Sequence, residues 1–204
     1  MKTNRASMST KTLVMAAILT ALVTVLQFMG AFIRFGPFSI SLVLIPIVIG
    51  AATCGTKVST WLGFAFGVVV LLSGDAAAFL AVDELGTIAT VLVKGTAAGF
   101  CAGFAYNGVL MTLGRIFKQK ISRNIAVLVA AIVCPVVNTG VFLIGCLLFF
   151  METVSGWAAA AGLGGNVGQY MILGLVGANF LFELASNIIL SPVAVRIVQA
   201  RKKV

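Results

Sequence analysis

The chain has 204 residues, of which 61% are hydrophobic and 9% are charged, and its mean hydropathy is +1.16. A soluble domain carries about a quarter of charged residues, so this composition excludes an ordinary soluble protein and predicts an integral membrane protein. The formal net charge of +9 does not indicate a nucleic-acid partner, because the basic residues form short clusters between apolar runs, as in loops at a membrane surface.

Breaks in hydrophobicity predict an all-α protein with six transmembrane helices in one domain, residues 1–204. The first run is long enough to cross a hydrocarbon core of about 30 Å at about 1.5 Å per residue, and it exceeds the apolar core of a signal peptide. The second is short and contains Pro46, which predicts a kink or a partial span. The six predicted segments are 12–33, 41–54, 58–73, 87–110, 125–150 and 167–195.

The distribution of charge predicts that both termini are cytoplasmic. In that orientation Arg34 is the one base in the outer connections, which hold the acids Asp75, Asp83, Glu84 and Glu152. Cytoplasmic loops carry an excess of Lys and Arg, and an even number of spans places both basic ends inside. The predicted inner bases are Lys2, Arg5, Lys11, Lys57, Arg115, Lys118, Lys120, Arg123, Arg196, Arg201, Lys202 and Lys203.

Two charged residues fall inside predicted helices, Lys94 in the fourth segment and Glu183 in the sixth. A charge at bilayer depth costs about 2.5–3.5 kcal/mol on insertion scales, so it normally faces a partner or a wet cavity. Asn138 and Asn179 lie at compatible depths in the fifth and sixth segments. Polar groups of this kind also act as helix-packing contacts, each contributing about 0.6 kcal/mol. We interpret the four together as a solute site, and Asn187 and Asn107, nearer the inner face, as packing contacts.

Several motifs of enzymes and cofactor sites are absent from the sequence. There is no histidine, and the four cysteines have no CxxC spacing, so we expect no metal or haem site. No GxxxxGK[ST] motif occurs, so we expect no ATP binding through a P-loop. The familiar hydrolytic triads need a histidine. We therefore predict that the chain is not an enzyme.

Small residues recur at helical spacing in three segments. A GxxxGxxxG row follows Lys94 at 95–103, and a GxxxG pair stands at 63–67 in the third segment. These spacings permit close helix approach. Ala17 and Ala21 form an AxxxA step in the first segment, on a face with almost nothing polar. That face suits either packing within the protein or a docking surface for a partner.

The ordered set of segments resembles the S components of energy-coupling factor (ECF) transporters, which capture vitamins in bacteria and archaea. The resemblance covers nearly the whole length, through "KTLVMAAILTAL", "FGPFSISLVLIPIVIGAATCGTKVSTWLGFAFGVV", "LVKGTAAGFCAGFAYN" and "GANFLFELASNIILSPVAVRI". The pattern is most similar to the branch that includes riboflavin and pantothenate S components. It implies a multi-pass protein of a prokaryotic plasma membrane with six helices and cytoplasmic termini.

The resemblance also implies a division of roles among residues. It places a site for a vitamin-like solute on helices four to six, at Lys94, Asn138, Asn179 and Glu183, capped by the loop at 34–39 that holds Arg34 and Phe38. It implies that the face of Ala17 and Ala21 docks on a transmembrane coupling (T) subunit carried by two ATPases. ATP is then used by those partners, and this chain binds no cofactor. Three outer aromatics suit either ring stacking or lid closure, or anchoring at the interface: Phe79, Trp157 and Tyr170.

Two other functions stay open at the level of sequence. In a stand-alone secondary transporter, Glu183 would carry a proton or help to bind sodium. In a structural membrane subunit without transport activity, Lys94 and Glu183 would form a stabilising pair. The solute itself is not specified, because one ammonium, one carboxylate and two amides suit many metabolites.

Overall fold

The structure is a computed structural model that describes residues 9–30, 34–35, 38–39 and 42–201, with the backbone alone for 34, 35, 38, 39 and 201. It is built almost entirely of helices. In chain order the elements are α1 (Thr10–Gly30), β1 (Arg34–Phe35), β2 (Phe38–Ser39), α2 (Leu44–Cys54), α3 (Thr56–Leu72), α4 (Ala77–Leu80), α5 (Glu84–Leu113), α6 (Gln119–Phe149), α7 (Met151–Ala160), α8 (Val167–Gln169), a π-helix (Tyr170–Leu175) and α9 (Gly177–Arg201).

Each predicted membrane segment contains a main helix, which confirms the all-helical class. Four helices of the described chain, α1, α5, α6 and α9, are long and apolar enough to cross a membrane. The apolar helices α2 and α3 are shorter, so a sixfold crossing stays a prediction. The first predicted segment ends, and the second begins, outside the described residues.

Three connections differ from the sequence-based expectation. The acidic connection after α3 contains the short helix α4, and the connection after α6 contains α7. α6 begins at Gln119 rather than at 125, so part of the predicted basic loop is helical. The last segment is interrupted by the π-helix, in which Val176 N–H donates to the Met171 carbonyl at 3.2 Å. The strands β1 and β2 pair antiparallel, Phe35 with Phe38, while Gly36 and Pro37 lie outside the described residues.

Glycines allow α3 and α5 to pack with their backbones in direct contact. A Cβ added at Gly63 would overlap the Gly95 carbonyl oxygen, and one added at Gly99 would overlap the Ser59 carbonyl oxygen. The order of these contacts shows that the two helices run antiparallel. The predicted close approach is confirmed, and it is a contact within one chain. It fixes the height of Lys94 relative to α3.

α6 lies between α5 and α9 and packs against both helices. Gly145 of α6 faces the Thr90 side chain near the start of α5, so these helices are antiparallel. Ile125, near the start of α6, and Val195, near the end of α9, line one groove. α6 and α9 are therefore antiparallel as well. The starts of α5 and α9 and the end of α6 therefore lie together at one end of the bundle. The basic α5–α6 connection and the end of α9 lie at the opposite end, as the charge distribution predicts.

The two inner asparagines behave differently. Asn107 Nδ2 donates to Thr56 Oγ1 at 3.0 Å, which ties α5 to α3 and confirms its interpretation as a packing contact. Asn187 Nδ2 donates instead to the Glu183 carbonyl of its own helix at 2.8 Å. Asn187 is buried, but the hydrogen bond described for it does not join two helices.

We expect Gly99→Ala to lower the free energy of unfolding by about 1–3 kcal/mol, because the new Cβ forces α3 and α5 apart. Gly108→Ala is the matched control on the same helix, because a Cβ at Gly108 meets nothing within 4 Å. That control should be neutral or stabilising by up to about 1 kcal/mol. Thermal unfolding of both variants in the same detergent measures the difference. Equal stabilities would contradict backbone contact at this crossing.

Candidate solute-binding site

The structure brings together the four polar residues expected to form the site. Lys94 of α5, Asn138 of α6, and Asn179 and Glu183 of α9 line one cavity. We call this space the site cavity. Its other lining residues are Gln27, Phe66, Val70, Asp75, Thr139, Phe142, Leu175 and Val176. It lies in the half of the bundle where α5 and α9 begin.

Glu183 is at the centre of the polar side of the site cavity. Its side chain is 2% exposed, and its Oε1 accepts a hydrogen bond from Asn179 Nδ2 at 3.2 Å. The two residues are one helical turn apart on α9, which is why their side chains meet. The Asn138 side chain, on α6, lines the same cavity and is close enough to act on this carboxyl group. Glu183 therefore accepts a hydrogen bond from one amide and lies near a second amide on another helix.

Lys94 approaches this group from the opposite wall of the site cavity. Its Nζ lies 5.3 Å from the ring centroid of Phe142 and 5.7 Å from that of Phe66, within the range of a cation–π contact. The carboxylates of Glu183 and Asp75 act on it electrostatically. Within the described part of the chain, Lys94 makes no direct ion pair. α6 separates α5 from α9, so Lys94 and Glu183 face each other across the cavity.

Two polar residues of the site cavity, Gln27 and Asp75, were not expected from the sequence. Gln27, on α1, is 1% exposed, and its Nε2 donates to Asp75 Oδ2 at 3.1 Å and approaches Ser73 Oγ at 3.5 Å. Asp75 was assigned to an outer connection, yet it lines the cavity. The sequence could have marked Gln27 as a candidate, because it is the one amide in the apolar run 12–33.

The site cavity is narrow in this conformation. About 480 Å³ between its side chains is not filled by protein atoms, part of it continuous with the surroundings, but only about 50 Å³ can hold the centre of a water molecule. That is room for a few waters. Sites for drug-sized ligands enclose about 300–1,000 Å³, so a solute of vitamin size has to widen it.

A second space adjoins the site cavity and is more apolar. This adjoining cavity extends to Phe79, Thr90 and Phe150, and the residues that line both spaces are Val70, Asp75, Lys94 and Phe142. About 370 Å³ of it is not filled by atoms, including space open to the surroundings. The two spaces together form a polar compartment beside an apolar one, with Lys94 and Phe142 between them.

The residues proposed for a lid or for ring stacking have different positions. Phe79 lines the adjoining cavity and makes an edge contact with Trp157 at 5.4 Å between ring centroids. Tyr170 packs against the apolar cluster that includes Phe79 and Phe150. Neither Tyr170 nor Trp157 lines either cavity. The side chains of Arg34 and Phe38 lie outside the described residues. Of the three whose side chains are described, Phe79 is the one that lines a cavity.

The AxxxA face of α1 is directed away from the rest of the bundle. Ala17 and Ala21 are both exposed, and their neighbours Val14 and Ile18 are 53% and 57% exposed. This surface is smooth and apolar, which suits contact with lipid or with another membrane helix. Elsewhere in the described residues, no group of three His, Cys, Asp or Glu is arranged to hold a metal ion.

The sequence profile of one family, described as the ECF transporter substrate-specific component, matches residues 11–198. The chain belongs to this family. It is therefore a substrate-specific membrane subunit of an ECF transporter, an S component, and membership implies a small-molecule substrate, a T subunit and ATPase partners. No curated protein and no solved structure matches the chain.

We expect Lys94 and Glu183 to be coupled energetically across the cavity of this S component. A double-mutant cycle with Lys94→Met and Glu183→Gln should give an interaction free energy of about 1 kcal/mol or more in unfolding, since residues in one charge network are non-additive. The control cycle pairs Lys94→Met with Asn107→Leu, which lies outside the cavity and should be additive within about 0.5 kcal/mol. Additivity in both cycles would show that the two charges do not interact.

Proposed function

We propose that this S component captures a water-soluble vitamin or related micronutrient from outside a prokaryotic cell and passes it inward through a T subunit driven by two ATPases. The observation that carries the proposal is the convergence of Lys94, Asn138, Asn179 and Glu183 on one cavity of a chain from this family. Three of the helices supply these groups, and none of the four is needed to cap a helix end.

The proposed orientation places both termini in the cytoplasm. Apart from Lys94 and Arg34, the described basic residues, such as Lys57 and Arg196, then lie at the inner end of the bundle, and Asp75 and Asp83 at the outer end. Positive-inside bias supports this orientation. It would direct the site cavity to the outer half of the membrane, where a solute arrives. We infer six crossings, with α2 and α3 as the shorter spans.

In this proposal four residues contact the solute directly. Lys94 pairs with a carboxylate, phosphate or carbonyl oxygen of the solute. Asn138 and Asn179 provide amide groups that donate and accept, and Glu183 accepts from a hydroxyl or N–H group. Phe79 contacts the apolar part, and the loop at 34–39 with Arg34 and Phe38 covers the site. A place in the riboflavin and pantothenate branch stays a prediction.

The alternative of a stand-alone ion-coupled transporter is tested by reconstitution. We expect liposomes that contain this chain alone to show no uptake driven by a sodium or proton gradient, and liposomes with the complete complex to show uptake that requires ATP. The solute is the molecule that co-purifies with the chain, identified by mass spectrometry. Gradient-driven uptake by the chain alone would favour the secondary transporter.

We expect Lys94→Ala to weaken binding of the co-purified solute by at least about 1.5 kcal/mol, since a hydrogen bond to a charged group contributes about 1.5–3 kcal/mol. Calorimetric titration of the purified chain measures the change. Asn107→Ala is the control, because Asn107 bonds Thr56 away from the cavity. An unchanged affinity in Lys94→Ala would remove Lys94 from the site.

We expect larger side chains at Ala17 and Ala21 to block assembly without affecting solute binding. Both residues are exposed on α1, and bulk there prevents close approach of a partner helix. The double variant Ala17→Leu and Ala21→Leu should lose co-purification with the T subunit and ATPases and keep its solute affinity. Ala185→Leu, at an exposed position of α9, is the control. Normal assembly of the double variant would place the docking surface elsewhere.

A further inference from the structure

The site cavity is surrounded by hydrogen-bond acceptors that have no donor. Among the described residues, four buried oxygens that line it accept no hydrogen bond: Gln27 Oε1, Asn138 Oδ1, Asn179 Oδ1 and Glu183 Oε2. Among the described residues, none of the buried atoms without a partner on these walls is a nitrogen. Buried polar groups are nearly always paired in native proteins, so four such acceptors around one space indicate that whatever fills it, water or solute, donates hydrogen bonds to this wall.

The orientation of two of these amides is set by their own hydrogen bonds. Gln27 Nε2 donates to the Asp75 carboxylate at 3.1 Å, and Asn179 Nδ2 donates to the Glu183 carboxylate at 3.2 Å. With the carboxyl groups ionised, turning either amide over would place its oxygen against an oxygen that can only accept. The nitrogens are therefore held on the carboxylates, and the amide oxygens are left for another partner.

Lys94 is the one cation described on the walls of the site cavity. Its ammonium group faces the rings of Phe142 and Phe66, across the cavity from the amide oxygens. The polar compartment therefore offers several acceptors on one wall and one donor group on the other. A solute has to match this unequal pattern to avoid leaving buried polar groups unpaired.

We propose that the solute of this S component is rich in hydrogen-bond donors. It presents two or more N–H or O–H groups to the wall formed by Gln27, Asn138, Asn179 and Glu183, and one acceptor to Lys94. Its apolar part enters the adjoining cavity beside Phe79. Solutes that carry only acceptors on this edge, such as phosphate esters and polycarboxylates, place lone pairs against the wall and are rejected. Gln27 is thereby a specificity-determining residue.

This proposal rests on the proposed function, and it is tested with defined fragments on the full chain in lipid nanodiscs. The first pair is 2-aminopyrimidine and 2-(dimethylamino)pyrimidine, and the second is 2-imidazolidinone and its 1,3-dimethyl derivative. Methyl phosphate is the acceptor-only probe. Ligand-observed NMR measures the affinities. We expect the donor-bearing member of each pair to bind at least about tenfold more tightly than its methylated partner, and methyl phosphate to bind more weakly than either donor-bearing fragment.

Two variants test whether the preference for donor-bearing fragments depends on the acceptor groups of Gln27 and Glu183. Glu183→Gln has nearly the same shape but replaces an acceptor with a donor, so the preference for the donor-bearing fragment should fall by about tenfold. Gln27→Leu should reduce it to about threefold or less. Asn107→Leu, outside the cavity, should leave it unchanged. If Gln27→Leu does not fold, Glu183→Gln alone decides.

Several results would overturn the proposal: equal affinities within the pairs, tighter binding of methyl phosphate, no binding of any donor-bearing fragment, or an unchanged preference in Glu183→Gln. The function is tested separately by co-purification of the chain with the T subunit and ATPases. A complex that assembles and carries an acceptor-only solute overturns the donor-rich proposal and leaves the function standing. A chain that binds the donor-bearing fragments but does not assemble with these partners contradicts the function instead.

Discussion

The burial of the Glu183 carboxyl group inside an apolar helix bundle is the constraint around which the site is built. A charge at this depth is costly unless it has partners, and the bundle supplies Asn179 from the same helix and Asn138 from α6. Lys94 balances it electrostatically from α5. These partners leave further polar atoms around the same space, so one buried carboxylate organises a cavity to which α1, α5, α6 and α9 contribute polar side chains.

The position of Lys94 depends in turn on how closely α3 and α5 pack. The glycines after Lys94 allow α5 to touch the α3 backbone at Gly63 and Ser59, which brings the Phe66 ring under the ammonium group. Larger residues at these positions would separate the helices and open the apolar wall beside the charge. Close packing of small residues and placement of a charged residue are therefore two effects of the same helix contact.

Much of this arrangement is encoded in patterns that can be read one helix at a time. Hydrophobic runs predicted all six main helices, because length and apolarity are properties of a single segment. Lys94, Asn138, Asn179 and Glu183 stood out because polar groups inside apolar runs are rare. Gln27 was overlooked, since an isolated amide near the end of a helix has little meaning until its partner Asp75 is known. The short helices α4 and α7 were also missed, because small-residue connections resemble loops.

By itself, the sequence determined that the chain is a helical membrane protein whose connections are basic on one side and acidic on the other. It also determined which few polar residues lie within the apolar runs. These are consequences of composition and order along the chain. Only the tertiary structure decided that Gln27 and Asp75 join the site, that Trp157 and Tyr170 stay outside both cavities, and that amide nitrogens are held on carboxylates while their oxygens face the cavity. The direction of each hydrogen bond depends on which helices are neighbours and on how far they are shifted along the bundle axis. Close packing across the bundle determines both of these properties.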